Sequence, residues 1–134
     1  MSIRDDVLRI WHHQMGPVHS IAGFRSNFRV GSKRVNLRTA SQKRGDQYWF
    51  DVTPEYYAKK LVDYFAYACG SASHVYVIPA YEMERLMEGA SLGGQKQVPN
   101  FTIYLDRHEF EPAGRSEKRK SIEHYYNLHE QLRK

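Results

Sequence analysis

"GFRSNFRVGSKRVNLRTAS", residues 23–41, carries five cationic side chains and no acid. Phe24, Ser26, Phe28 and Val30 alternate with Arg25, Asn27 and Arg29, and Val35 and Leu37 alternate with Arg34, Asn36 and Arg38. A period of two is the mark of β-strands. Gly31-Ser32 between the two runs suits a two-residue hairpin turn with glycine first. A turn centred there sets Arg29 opposite Arg34, Asn27 opposite Asn36 and Arg25 opposite Arg38. All six then share one face, and Phe24, Phe28, Val35 and Leu37 share the other. A slip of one residue would reverse every side chain.

Like charges directly opposed across a sheet cost about 0.2–1 kcal/mol per pair. Two such pairs on one small face call for an anion. It is either internal, such as a glutamate from a packed helix, or external, such as a phosphate. Arg also forks onto the groove edge of guanine and Asn onto adenine, so the face suits bases as well as backbone.

The charge of the whole chain is distributed to match. Net charge is +5, but residues 1–45 hold nine Lys/Arg against Asp5 and Asp6, whereas residues 46–134 hold eleven against thirteen acids. Charge segregated in this way builds a positive field that favours phosphate-rich partners through counterion release. The bland reading of the same numbers is a solvated basic face. Lys33, Lys43, Arg44 and Lys96 are the added candidates for holding backbone phosphates.

Outward from the hairpin, "SIRDDVLRIWHHQMG" reads as a helix. Ser2 is its N-cap, Asp5 and Asp6 lie in its first turn, and Val7, Leu8, Trp11 and Met15 recur at helical spacing up to Gly16-Pro17. "DQYWFDV" reads as a third strand with Tyr48 and Phe50 on one face and Trp49 on the other. Thr53-Pro54-Glu55 opens a short helix. "LVDYFAYACG" reads as a central strand covered on both faces, with "SHVYVIP" as its neighbour, or as an extension of the preceding helix, which periodicity alone does not decide. "AYEMERLMEGA" is a helix with Met83, Leu86 and Met87 inward. "SLGGQKQVPN" is a loop with Lys96 at its tip, and "FTIYLDR" is the last strand. "RSEKRKSIEHYYNLHEQLRK" reads as a terminal helix with Ile122, Tyr125, His129 and Leu132 on one stripe.

The 134 residues, 41% hydrophobic, suit one folded domain over residues 1–134. Cys69 has no partner for an internal disulfide and lies in an apolar run, where it reads as a small core residue. The acids of "MSIRDDVLRIW" break any signal-peptide pattern, and no apolar run approaches the ~18 residues of a membrane helix. The expectation is a cytoplasmic protein with no membrane partner; the sequence leaves a homodimer open.

Catalytic motifs are scarce. The seven histidines form no metal-binding pair at helical spacing, and one cysteine makes no zinc finger. There is no phosphate loop and no G-x-S-x-G elbow. His12, His13 and His19 lie beside the basic stretch, where two histidines could cleave a phosphodiester without metal, one taking a proton and the other giving it. Asp46 and Asp51 are the acids a metal-dependent reaction would use. Ten tyrosines exceed the needs of a core of this size, and rings beside arginine suit stacking on unpaired or flipped bases.

Residues 33–86, "KRVNLRTASQKRGDQYWFDVTP…LVDYFAYACGSASHVYVIPAYEMERL", resemble the core of the PD-(D/E)XK restriction-endonuclease-like superfamily. There a basic strand ending in a catalytic lysine precedes an aromatic strand, then strands of the form D-Φ-Φ-Φ and Φ-Y-Φ-I-P, then a helix (Φ apolar). Asp63-Tyr64-Phe65 and Val77-Ile78-Pro79 carry that cadence. The family binds Mg²⁺ through an acid on one strand and a (D/E)-x-K pair on the next. The matching positions here are Asn36 and Arg38, giving N-x-R, and the preceding strand offers Arg25, Asn27 and Arg29 without an acid. The resemblance therefore implies a catalytically degenerate nuclease fold that keeps a basic DNA-facing surface and needs no cofactor.

The combined expectation is an α/β (α+β) chain with a central mixed sheet, an N-terminal hairpin, flanking N- and C-terminal helices and a restriction-endonuclease-like arrangement. It would bind nucleic acid, duplex DNA first, through Arg25, Asn27, Arg29, Arg34, Asn36 and Arg38, in the service of restriction, defence or mobile elements. Two alternatives stay open. One is an active endonuclease, metal-free through His12 and His19 or Mg²⁺-dependent through Asp46 and Asp51. The other is a protein-interaction subunit whose arginines meet an acidic partner.

Overall fold

The computed structural model describes residues 2–41, 44–90, 92–93 and 98–133, and for 92 and 93 the backbone alone. Helix α1 (Ile3–Met15) starts at Ser2, whose Oγ accepts the Asp5 N–H at 3.0 Å. It ends at Gly16, which takes a φ of 95° that a side chain would resist. The helix buries Val7 and Trp11. The chain then turns back into β1 (Val18–Ser20) and β2 (Asn27–Val30), an antiparallel pair.

Across the Gly31-Ser32 turn, β2 pairs antiparallel with β3 (Lys33–Ala40) in the register that alternation requires. Asn27 lies opposite Asn36, Phe28 opposite Val35 and Arg29 opposite Arg34. The Arg25–Arg38 pair does not form. The ladder ends with the Leu37 N–H on the Ser26 carbonyl, and Arg25 sits in the preceding turn. Arg38 instead pairs with Tyr67 on another strand. The apolar face meets α1: Phe28, Val30, Val35 and Leu37 join Val7 and Trp11 in one core.

After β4 (Gln47–Asp51) and a single turn of helix α2 (Glu55–Ala58), the chain re-enters the first sheet as β5 (Tyr64–Cys69) and β6 (Val75–Pro79). β5 runs parallel to β3 and antiparallel to β6, so the sheet is mixed, in the order β1-β2-β3-β5-β6. β5 is buried on both faces from Phe65 onward, as its unbroken apolar run requires. Helix α3 (Ala80–Leu86) follows directly, with Met83, Leu86 and Met87 inward.

The remaining strands build a second sheet that the alternation patterns did not separate from the first. β7 (Leu92–Gly93) pairs with β8 (Val98–Tyr104); β9 (Glu109–Pro112) and β10 (Lys120–Ser121) extend it, giving the order β10-β9-β8-β4. β4 therefore leaves the hairpin's sheet, and "FTIYLDR" is not the last strand. Tyr48 and Phe50 point into the core and Trp49 outward. Phe50, Phe101 and Phe110 of this sheet meet Tyr67 and Phe65 of the first in a ring-on-ring core. The architecture is thus mixed α/β, with two sheets and three α-helices among the described residues. No helix among the described residues is long and apolar enough to cross a membrane.

The terminal helix is a correction. Residues 116–133 form β10 and short 3₁₀ turns instead. Ile122 packs in the core between the sheets, and Leu132 in the core under α1. The segment therefore wraps the β6 edge, from one face of the first sheet to the other, which no straight helix can do. Asn127 makes the turn, with a φ of 51°. It exchanges bonds with Val75, whose N–H reaches its Oδ1 at 2.9 Å while its own N–H reaches the Val75 carbonyl at 2.6 Å. The predicted stripe at Ile122, Tyr125, His129 and Leu132 is real as burial but is split between two cores.

Candidate nucleic-acid interface

The register of the first sheet lines up one charged row. His19 lies beside Arg29, Arg29 beside Arg34, and Asp63 beside Arg34, all on the face away from α1. The Asp63 N–H bonds the Arg34 carbonyl at 2.8 Å, just before β5 begins. Its carboxylate takes the Arg34 N–H at 2.8 Å and the guanidinium through Nε at 3.4 Å and Nη2 at 3.3 Å. Burial works to raise the Asp63 carboxyl. The hydrogen bonds from the Arg34 side chain and backbone, with the charges of Arg34 and Lys33, outweigh it and hold the group below the usual carboxylate range.

A second arginine is also answered from within. Arg38 Nη2 stands 3.1 Å from Asp51 Oδ1, at the end of β4. The internal anions are therefore two aspartates at strand ends, where a helix glutamate was one expectation. Both pairs are about a third exposed, and ion pairs of that kind contribute only about 0–1 kcal/mol. A phosphate with charge-assisted bonds to spare can compete with Asp63 for Arg34.

Asn27 and Asn36 are removed from any contact surface. They are 1% and 3% exposed, and the Asn36 Nδ2 donates to the Asn27 Oδ1 at 2.7 Å. The expected base-reading pair is thus a satisfied buried amide pair. Arg25, Arg29 and Arg44 are exposed and make no ion pair among the described residues; half-buried Lys33 makes none at contact distance, though its charge acts on Asp63. The loop before β2 is pinned where Arg4 Nη2 donates to the Arg25 carbonyl at 3.0 Å. Phe24, 36% exposed, stands edge-to-face on Tyr56 with centroids 5.9 Å apart. Lys43 and Lys96 lie outside the described residues.

The nuclease candidates are dispersed. His12 is exposed on α1, and α1 covers one face of the first sheet; His19 points from β1 to the other face. The sheet stands between them, so no proton relay joins the two. Asp46 precedes β4 and Asp51 ends it, about 17 Å apart at ~3.4 Å per residue. Asp51 is also committed to Arg38. Among the described residues no three His, Cys, Asp or Glu lie close enough together to hold a metal ion.

Sequence reasoning missed Tyr67. It is fully buried among Phe50, Phe65 and Phe101, and its hydroxyl has no hydrogen-bond partner among the described residues. Desolvation drives its ionisation well above the ordinary tyrosine range; Arg38 opposes this, and Asp51 and Tyr57 add to it. The oxygen therefore lies within the field of the Arg38–Asp51 pair, and leaving it unpaired costs about 1–3 kcal/mol. Only the parallel pairing of Arg38 with Tyr67 reveals this, and no local pattern encodes it. Comparison with protein-family models, with curated proteins and with solved structures returned no match.

Proposed function

We propose that this chain binds nucleic acid, duplex DNA in the first instance, through a basic rim formed by Arg25, Arg29 and Lys33, with His19 and the half-exposed Arg34 beside them. The observation that carries the reading is the cross-strand row His19–Arg29–Arg34, in which Arg29 makes no ion pair among the described residues, with Lys33 next to Arg34 adding charge at the strand end. Opposed cations on rigid strands favour a polyanion, because a ligand with regularly spaced phosphates relieves their repulsion and releases its own counterions. The contacts of this rim are to backbone phosphates, since Asn27 and Asn36 are buried. The reading extends to a binding domain on a catalytically degenerate restriction-endonuclease-like fold, in the cytoplasm and in defence or mobile elements. That part rests on the resemblance over residues 33–86 alone.

The test is fluorescence anisotropy with labelled duplex DNA, single-stranded DNA and RNA at two salt concentrations, with and without Mg²⁺, followed by gel analysis. Salt-sensitive binding of intact nucleic acid supports the reading. Arg29→Ala with Lys33→Ala should weaken binding of every sequence alike and lower the salt slope by about 1 per residue removed. Unchanged affinity in that variant removes this rim. Cut product would instead reinstate the endonuclease, and no binding at low salt would point to an acidic protein partner.

A further inference from the structure

A cleft of about 160 Å³ opens between Arg38 and Asp51 on one side and Thr53 and Val98 on the other. The orphan Tyr67 hydroxyl lies beside the same two charges. The Arg38–Asp51 contact uses one guanidinium nitrogen and one carboxylate oxygen. The second oxygen and further guanidinium N–H groups keep the capacity to bond a ligand. The cleft thus offers a planar donor with an acceptor beside it; the Tyr67 oxygen is buried and does not line it.

We propose that this cleft receives a single unstacked nucleobase, guanine by preference, from a strand whose phosphates lie on the rim; the inference rests on the nucleic-acid reading above. A phosphate does not suit the cleft, because Asp51 would repel it. A neutral planar ring with donors next to acceptors does suit it. Guanine presents N1–H and N2–H to a carboxylate and an oxygen to a guanidinium, the pattern complementary to Asp51 and Arg38. Position agrees with this. Arg38 and Arg34 are four residues apart on β3, roughly 13 Å at ~3.3 Å per residue, so cleft and rim lie along one strand. The exposed Phe24 ring, held on Tyr56 one turn beyond Thr53, provides an aromatic surface close to that path.

The experiment uses thymidine decamers carrying one central guanine, cytosine, adenine or abasic position, titrated by anisotropy against the intact chain and against Tyr67→Phe and Asp51→Asn. The guanine decamer should bind about 5-fold or more tightly than the abasic one. Asp51→Asn, which replaces one carboxylate oxygen by a donor amide, should bring that ratio close to one, and Tyr67→Phe, whose oxygen lies outside the cleft lining, should leave it unchanged. The ratio is read rather than the affinity, because freeing Arg38 strengthens binding of every decamer. Melting curves establish that each variant is folded. Equal affinity for all four decamers, with salt-sensitive binding retained, overturns the cleft and leaves the rim standing. Failure to bind any nucleic acid overturns both.

Discussion

Replacing Tyr67 by phenylalanine removes one oxygen and leaves the ring. The ring is worth keeping: it meets Phe50 and Phe101 at centroid distances of 4.9 Å and stacks on Phe65 at 6.3 Å. Truncation to alanine would therefore cost about 3–5 kcal/mol, as for any large core aromatic. The oxygen is different. It is fully buried with no partner among the described residues, so it carries a desolvation penalty of about 1–3 kcal/mol without the bond that would offset it. Tyr67→Phe should accordingly stabilise the free protein by about 1 kcal/mol, the lower end of that range, because the unfolded chain also gains from losing a polar group poorly. For a chain of this length that corresponds to a rise in Tm of about 3–5 °C. In urea it corresponds to an increase of about half a molar in the midpoint, at an unchanged slope. The assay is paired thermal and urea unfolding without nucleic acid. A loss of 1 kcal/mol or more would refute the reasoning. It would mean that the hydroxyl is satisfied in the folded protein, by a trapped water for example.

Further outcomes follow from the charged row and from the turns. Asp63→Asn should free Arg34 for phosphate and strengthen nucleic-acid binding a few-fold at low salt, while costing no more than about 1 kcal/mol of stability because the pair is half-exposed; weaker binding would show that Asp63 aims Arg34 rather than competing for it. The same carboxyl is held down in the folded chain, so its contribution is present above the unfolded value of 3.8 and is lost as pH falls through the lower folded value; Asp63→Asn should blunt acid unfolding monitored by circular dichroism. His129 is depressed by burial, and its Nδ1 accepts the Trp11 Nε1–H at 2.9 Å, a bond only the neutral ring makes. The unfolded chain takes up that proton first, near 6.5, so stability is full above pH 6.5 and declines as pH falls toward the folded value. Urea midpoints at pH 8 and 5.5 should show this slope, and His129→Gln should flatten it. Gly70→Ala should cost about 2 kcal/mol or more in urea unfolding, since Gly70 has a φ of 78° and a Cβ there would lie 2.8 Å from the Tyr48 hydroxyl.

Features encoded within a dozen residues were legible in the chain itself. The helix at Ile3–Met15 could be read from one cap, one stop and an apolar stripe. The β2–β3 register could be read from alternation around Gly31-Ser32, because a slip would expose Phe28 and Val35. The continuous apolar run of β5 announced a segment covered on all sides, and the structure decided for a strand over a helix extension. What that covering would consist of was not legible. Whether β4 joined the hairpin's sheet or a second one depends on pairing with β8, some fifty residues away, and both choices satisfy the same alternation. That choice decided the interface. The second sheet brought Asp51 to Arg38, and Asn27 and Asn36 were buried with their amides paired. The parallel β3–β5 pairing then brought Asp63 to Arg34 and set Tyr67 beside Arg38. The C-terminal stripe went the same way: its period was helical, but the partners it found at Val75 and Trp11 bend it round a sheet edge. The sequence by itself determined which residues are cationic and which face each takes within its own hairpin. Only the tertiary structure decided which cations keep their charge for a partner, because neutralisation depends on acids delivered from distant strands.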